Sequence, residues 1–345
     1  MKSKTLLVTL ADENYVKQTK QLFSSVYWNA GWKGDYMLLS HNIPEKELKW
    51  FRKRGIIVRK CKSLCNKKAG VERHPPLVLD KFYLFTPKFK KWKNIVYLDS
   101  DIIVRASVEE LTKIKGFAAP RSTLGSLANE FVRKNEADRK LFNNIKKNYD
   151  IKEKPFCTGI VVFSTDIIKK DTFSKLMWLF NQFGKISRVG EEGAVNLFFH
   201  KNWKELPFFY NVFVSQMMED YDIKPENIKG KILHFIGSGK DGRKEYYRAW
   251  HKKNYFYTEW RYNLDRADLI DLKNRKKGKR WGEADISRYM PYLRYKTLYS
   301  KIKSNMRIFY NLTISPNTNI GRIGIIIKKI SPRLYYKLRK IKNEI

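Results

Sequence analysis

Asn94-Ile95-Val96-Tyr97-Leu98-Asp99-Ser100-Asp101 is a compact apolar run that stops abruptly in two acids one residue apart. Four apolar or β-favouring residues, Ile95 to Leu98, bounded by polar ones predict a strand buried on both faces, the kind found inside α/β sheets. In open α/β sheets, ligand crevices lie beyond the carboxyl ends of the strands, so the acids fall where a site is expected. Working outward, residues 5–10 predict an opening strand. Residues 15–28 predict a helix, with Val16, Leu22, Phe23 and Val26 at helical intervals. Residues 36–40 read as a strand, 44–54 as a helix with proline at its start, and 56–59 as a strand, which makes a βαβαβ run. Residues 79–85 read as helical and lead into the quoted strand.

Downstream, residues 128–148 predict a charged helix and 159–163 another buried strand. Residues 172–183 predict a helix whose Leu, Met, Trp and Phe belong to a core. Residues 191–198 read as a short helix with an acidic first turn, and 232–236 as a strand leading into Gly237-Ser238-Gly239-Lys240. The predicted fold is α/β: a single Rossmann-like domain over 1–265 with a mostly parallel central sheet.

Across 345 residues, 71 Lys and Arg oppose 34 Asp and Glu, a formal charge of +37 that calls for an anionic partner. Hydrophobic residues make up 43% of the chain, enough to build a core, which excludes wholesale disorder. Cys61, Cys65 and Cys157 are too few for a disulfide framework and fit a reduced cytoplasm. No second Cys/His pair completes a zinc site with Cys61 and Cys65. The first apolar stretch is short and runs into Asp12-Glu13-Asn14, so a strand is expected there rather than a signal peptide, and no run of about 18 apolar residues spans a membrane.

Beyond about residue 265 the character changes. From Lys273 to the end, 20 Lys and Arg face 3 Asp and Glu, an excess of 17, interleaved with Tyr292, Tyr295, Tyr299, Phe309, Tyr310, Tyr335 and Tyr336. Residues 266–345 are therefore expected to be a basic, mainly helical appendage that holds the protein peripherally at an anionic membrane face. A solvated basic face is the plainer reading of the same residues. Nucleic-acid binding is the alternative function, though no helix-turn-helix, zinc-finger or RNA-recognition signature supports it.

Two carboxylates spaced as Asp99 and Asp101 commonly sit in a solvated turn, but they also supply two hard oxygen ligands for a divalent ion that neutralises phosphate. His234 lies 133 positions after Asp101, also at the end of an apolar strand, and both can meet at one sheet edge. A mixed carboxylate and imidazole set favours Mn²⁺ over Ca²⁺.

These ordered features resemble the retaining glycosyltransferases of the glycogenin and lipopolysaccharide galactosyltransferase type, glycosyltransferase family 8, over about residues 5–245. The opening strand with Ala11-Asp12-Glu13-Asn14-Tyr15 resembles that family's uridine-binding start, where an acid reads the uracil edge and a tyrosine stacks on the base. Lys81 is similar to a donor-facing basic residue, and residues 96–101 to the metal-binding Asp-x-Asp strand end. Residues 156–160 resemble the segment beneath the donor sugar. Glu191-Glu192-Gly193-Ala194-Val195-Asn196 is similar to the Asp-Gln-x-x-Leu-Asn helix start, residues 203–211 to the strand and turn that follow, and His234-Phe235-Ile236-Gly237-Ser238-Gly239-Lys240 to the diphosphate clamp.

The resemblance implies a GT-A type domain and a hexosyltransferase using a UDP-sugar with Mn²⁺ or Mg²⁺, acting on a glycan, lipid-linked or polysaccharide acceptor. It implies that Asp99, Asp101 and His234 hold the metal. Ala11, Asp12, Asn14, Tyr15, Lys81, Asp99, Ser100, Asp101, Gly237 and Lys240 would bind the donor, with Glu191 and Glu192 catalytic. Three departures stand out: Cys157 replaces the usual Asn, Asp241-Gly242 replaces the usual Pro-Trp after the clamp lysine, and Glu191-Glu192 replaces Asp-Gln. The last puts a carboxylate where the family has an amide, and Glu192 is thereby a candidate nucleophile. A nucleotidyltransferase would use the same acids but release pyrophosphate instead of UDP.

Overall fold

The computed structural model describes residues 5–65, 75–236 and 247–273. In chain order the strands among them are β1 (Thr5–Ala11), β2 (Asp35–Ser40), β3 (Ile57–Lys60), β4 (Asn94–Leu98), β5 (Ile102–Val104), β6 (Phe117–Pro120), β7 (Ile160–Ser164), β8 (Lys204–Leu206), β9 (Val212–Phe213) and β10 (Ile232–His234). The α-helices are α1 (Val16–Ser25), α2 (Glu45–Lys53), α3 (Glu136–Asn148), α4 (Thr172–Phe183), α5 (Glu192–Phe198), α6 (Val214–Asp220) and α7 (Tyr257–Asp265).

Seven strands form the central sheet in the order β3-β2-β1-β4-β7-β6-β8. Of its neighbouring pairs, β3/β2, β2/β1, β1/β4 and β6/β8 are parallel, while β7 runs antiparallel to both β4 and β6. The sheet is mostly parallel as expected, in four of its six pairs, but the reversal of β7 makes it mixed, and that reversal matters. It sets Leu98, the last residue of β4, opposite Ile160, the first of β7, so that the start of one strand lies beside the end of the other. The period-two alternation of side chains explains why the central strands are buried twice over. Leu6, Val8, Leu10, Ile95 and Tyr97 join one apolar layer with residues of α3, α4 and α5. Leu7, Val96 and Leu98 join the other with residues of α1 and α2. Each such fully buried side chain contributes about 1.5–3 kcal/mol.

A second, three-stranded sheet has the order β5-β10-β9. β5 follows Asp101 directly, and β10 lies antiparallel to it with His234 opposite Ile102.

Several local expectations shift. Residues 76–85 form consecutive 3₁₀ turns rather than an α-helix, with Leu79, Asp80, Lys81, Phe82, Leu84 and Phe85 all buried. The predicted helix over 128–148 divides into a 3₁₀ turn at Leu127–Glu130 and α3. It divides because Phe131 bridges to Ser187, and because Asn135 stops the chain and restarts it as a helix cap, its Oδ1 accepting from Asp138 N at 2.9 Å. The helix expected to reach residue 28 ends as α at Ser25 and continues as a π turn over Val26–Ala30, closed by Gly31 in the left-handed region. Cys61, Cys65 and Cys157 are free thiols. Among the described residues no helix is long and apolar enough to cross a membrane.

Candidate active site

The carboxyl edge of the sheet gathers side chains from several distant segments. Asp99 follows β4, and its backbone N–H donates to Gly159 O at 2.8 Å, tying the end of β4 to the start of β7. Its carboxylate accepts from Tyr97 Oη at 2.5 Å and pairs with Lys81 Nζ at 3.2 Å. The Asp101 carbonyl accepts from Phe235 N at 3.0 Å, which ends β10 and draws His234 alongside the acids. One ligand atom from each of Asp99, Asp101 and His234 falls within 4.8 Å of the others.

The imidazole is set up as a ligand. Its Nδ1 is 2.9 Å from Asn211 Oδ1, and an amide oxygen only accepts, so Nδ1 carries the proton. The buried Nε2 then presents a lone pair. It lies 3.2 Å from Asp101 Oδ1 yet has no hydrogen-bonding partner. An amide that fixes the tautomer of a metal-binding histidine is a recurrent outer contact of metal sites. Gly159 is required beneath it, because a Cβ there would overlap His234 Cε1 and come 3.0 Å from Asp99 Oδ2. Two carboxylates and one neutral imidazole suit Mn²⁺ or Mg²⁺, with the nitrogen disfavouring Ca²⁺.

β1 and β4 are parallel neighbours, so residues 11–15 share this edge. Ala11 is buried at the end of β1, and Asp12 caps a 3₁₀ turn over Glu13–Tyr15, accepting from Asn14 N at 3.0 Å and Asn14 Nδ2 at 3.4 Å. The Tyr15 ring stands edge-on to Trp250 with centroids 6.2 Å apart. Burial, then the Asp101 carboxylate, raises the Tyr15 phenol above its ordinary range. Ser100 turns inward: its hydroxyl donates to Leu10 O at 2.9 Å, with the Thr9 and Thr19 hydroxyls each 3.2 Å away. That contact pins the acidic turn to β1 and α1.

Glu191 and Glu192 open α5 and are both 3% exposed. Lys81 Nζ pairs with Glu191 Oε1 at 2.7 Å as well as with Asp99. Burial works against the ammonium, but the Asp99 and Glu191 carboxylates outweigh it and hold Lys81 well above its usual range. Thr158 N donates to Glu192 Oε2 at 2.7 Å, and Thr158 Oγ1 lies 2.9 Å from Glu191 Oε1 and 3.1 Å from Glu192 Oε2. Burial pushes the Glu192 carboxyl up to about 7, against the opposing Thr158 N–H. Asp99, Lys81, Glu191, Thr158 and Glu192 thus form one contiguous polar chain leading away from the candidate metal position.

Cys157 Sγ accepts from Gly159 N at 3.4 Å, and burial pushes its thiol well up. Gly237 and Lys240 lie outside the described residues, as does the basic segment beyond 273. Sequence reasoning left Asn211, Thr158 and Tyr97 without roles, although each stood within or beside a quoted stretch. Glu130 carried no signal.

A family model described as glycosyl transferase family 8 matches residues 6–241. Glycosyltransferase GlyB of Streptococcus pneumoniae serotype 4 is 30% identical over 137 residues, 39% of this chain and 28% of that relative's length. The bifunctional glycosyltransferase WbbM superposes with a TM-score of 0.59 at 17% identity, over 76% of this chain and 50% of WbbM. The galactosyltransferase LgtC, solved with donor and acceptor sugar analogs, superposes with a TM-score of 0.54 at 14% identity, over 75% of this chain and 95% of its own. The chain therefore spans half or less of two of these relatives, and the structural likeness establishes an α/β fold of the GT-A type.

Proposed function

The chain belongs to glycosyl transferase family 8, and from that premise we propose that it moves a hexosyl unit from a UDP-sugar to a glycan, lipid-linked or polysaccharide acceptor, with retention of configuration and with Mn²⁺ or Mg²⁺ held by Asp99, Asp101 and His234. The observation that carries the reading is the unpartnered, buried His234 Nε2 beside the two aspartates, its other nitrogen fixed by Asn211.

Glycosyl transfer develops positive charge at the anomeric carbon and negative charge on the departing diphosphate. When bound, the cation supplies positive charge toward that diphosphate. The chain's own residues do the rest. Asp12, Asn14 and Tyr15, with Ala11 at the strand end, receive the uridine. Lys81 pairs with both Asp99 and Glu191 in a buried place and orients both. Gly237 and Lys240 are proposed to contact the diphosphate. Glu192 is the carboxylate offered to the anomeric carbon, where it stabilises the cationic sugar or attacks it. If it attacks, the bond from anomeric carbon to phosphate oxygen breaks with its electrons on UDP; the acceptor hydroxyl then attacks the anomeric carbon, the Glu192 carboxylate leaves with the ester's electron pair, and the hydroxyl proton passes to the UDP phosphate.

UDP release from a panel of UDP-sugars, with and without Mn²⁺, tests the whole. Metal-dependent release by wild type and a loss of about 10²–10³-fold in Asp101→Asn are expected. Thermal shift adds a second arm, since a ligand that binds the native state stabilises it by mass action. Stabilisation by oligonucleotide, with none by UDP plus Mn²⁺, would refute the assignment. Mass spectrometry with a slow donor decides the nucleophile: a glycosylated peptide containing Glu192 supports attack, and its absence leaves charge stabilisation.

A further inference from the structure

Glu130 has no place in the reaction as drawn. It ends the 3₁₀ turn Leu127–Glu130, is fully buried, and neither carboxyl oxygen accepts a hydrogen bond from any donor. An ionised carboxylate left that way costs several kcal/mol or more, so the site must be arranged for another state. The nearest cation does not relieve it: Arg188 Nε donates to Asn129 O at 2.8 Å, and the Arg188 backbone N–H to the Glu130 carbonyl rather than its carboxyl. The turn that ends in Glu130 packs against α5, and the carboxyl of Glu192, at the start of that helix, is the ionisable group that weighs most on it. Two carboxylates only accept, so this contact is attractive only when one of them carries a proton.

The hydrogen-bond donors favour Glu192 as the ionised partner, against the Glu191 charge beside it and the Arg188 charge near Glu130. Glu192 has the Thr158 N–H and hydroxyl, and Lys81 lies beyond Glu191. Glu130 faces Glu192, Glu191 and the outward-turned Arg188. Burial, then the Glu192 charge, pushes the Glu130 carboxyl well above the usual range. A carboxylic acid kept neutral by an apolar, anionic setting so that it can donate is a known device of enzyme sites.

We propose that Glu130 is a positioning residue: it keeps its proton at neutral pH and donates it in a hydrogen bond to the Glu192 carboxylate, which fixes that side chain and lowers the cost of its charge. The proposal rests on the reading of Glu192 as the carboxylate at the anomeric carbon. It also accounts for the departure from an amide at 192, because a carboxylate needs a donor behind it that an amide would not.

The test compares wild type, Glu130→Gln, Glu130→Leu and Glu192→Gln as full-length proteins. Infrared spectroscopy at about pH 8 should show a carboxylic-acid carbonyl band in wild type that Glu130→Gln removes. In metal-dependent UDP release, Glu130→Leu should lower kcat by about ten- to a hundredfold, the weight of one hydrogen bond to a charged group, and move the acid limb of its pH profile upward. Glu130→Gln, whose amide still donates, should recover most of the kcat and return the limb toward wild type. Thermal melts keep the comparison fair: Glu130→Gln, which keeps the volume and a donor, should hold Tm, and rates of all variants are read well below their own Tm. No band, together with an inactive Glu192→Gln, would overturn the shared proton and spare the role of Glu192. A band with fully active Glu192→Gln would overturn that role and the positioning function with it. Equal kcat and pH profiles in Glu130→Gln and Glu130→Leu would overturn the positioning function alone.

Discussion

At the scale of single residues, the candidate site depends as much on a missing side chain as on those present. Gly159 lets the β7 backbone pass against the His234 ring and the Asp99 carboxylate. Gly159→Ala should cost about 1–3 kcal/mol in stability through overpacking. It should remove Mn²⁺-dependent stabilisation by UDP almost entirely, because the imbalance is relieved by displacing the imidazole. A Gly159→Ala protein with a wild-type shift on adding Mn²⁺ and UDP would show that the ring is not a ligand. Glu192 adds a pH signature. Its native pKa is raised from the ordinary 4.5 to about 7, so between those values the native state holds a proton that the unfolded chain has lost. Its contribution to stability is full below about 4.5 and declines as pH rises through about 7. With ionised Glu192 as the working form, as proposed, activity should run the other way: kcat should climb through about pH 7, and Glu192→Gln should flatten both profiles. Urea melts and initial rates over the same buffers check the opposing slopes.

At the scale of elements, the decisive event is the pairing of β10 with β5, which carries His234 to a position opposite Ile102 and next to Asp101. The ligands that this pairing unites were legible in the sequence, since the apolar runs of β4 and β10 each end in polar groups of ligand type. Their pairing was not, because β5 is three residues long and too short to declare a period. The reversal of β7 was equally hidden: a doubly buried strand reads the same in either direction. α5 shows how a short helix of seven residues becomes an exact support. Asn196, on its second turn, accepts from Phe156 N and donates to Phe156 O, both at 2.9 Å, and so clamps the helix to the segment that carries Thr158. Asn196→Ala would leave two buried backbone groups unpaired at about 2–4 kcal/mol. We expect Tm to fall by about 5–10 °C and UDP release to fall with it. An unchanged Tm would mean that water or a shifted side chain satisfies Phe156. The motif match located α5; the reason for its asparagine needed coordinates.

At the scale of the whole molecule, the described chain closes on itself before the basic tail begins. α7 and the turn after it bury Trp260, Ala267 and Ile270, and Arg105 grips Glu259 through two contacts of 2.7 and 2.5 Å. Tyr27 and Trp28 donate to the backbone at Asp271 and Arg266, and Arg54 Nη2 meets Asp268 Oδ1 at 2.6 Å. Residues 257–272 therefore belong to the folded unit by packing, while 17 of the 37 net positive charges come after residue 272. Two truncations separate the roles that charge and packing play. Removal of residues after 275 should leave Tm within about 2 °C of wild type and UDP release nearly intact, since it takes away none of these contacts. Removal of residues after 256 should collapse the fold, because Trp260 and Ile270 leave apolar surface of α1 and α2 uncovered. If the tail docks on an anionic membrane, each Lys or Arg near the surface is worth about 1 kcal/mol, so the longer truncation product should bind acidic liposomes at least about a hundredfold more weakly. Full-length binding should itself fade as salt is raised, because the attraction is screened within about a Debye length. Sedimentation with phosphatidylserine vesicles reads both effects, and equal pelleting of the two proteins at low salt would assign membrane attachment, if any, to the folded unit instead of its basic extension.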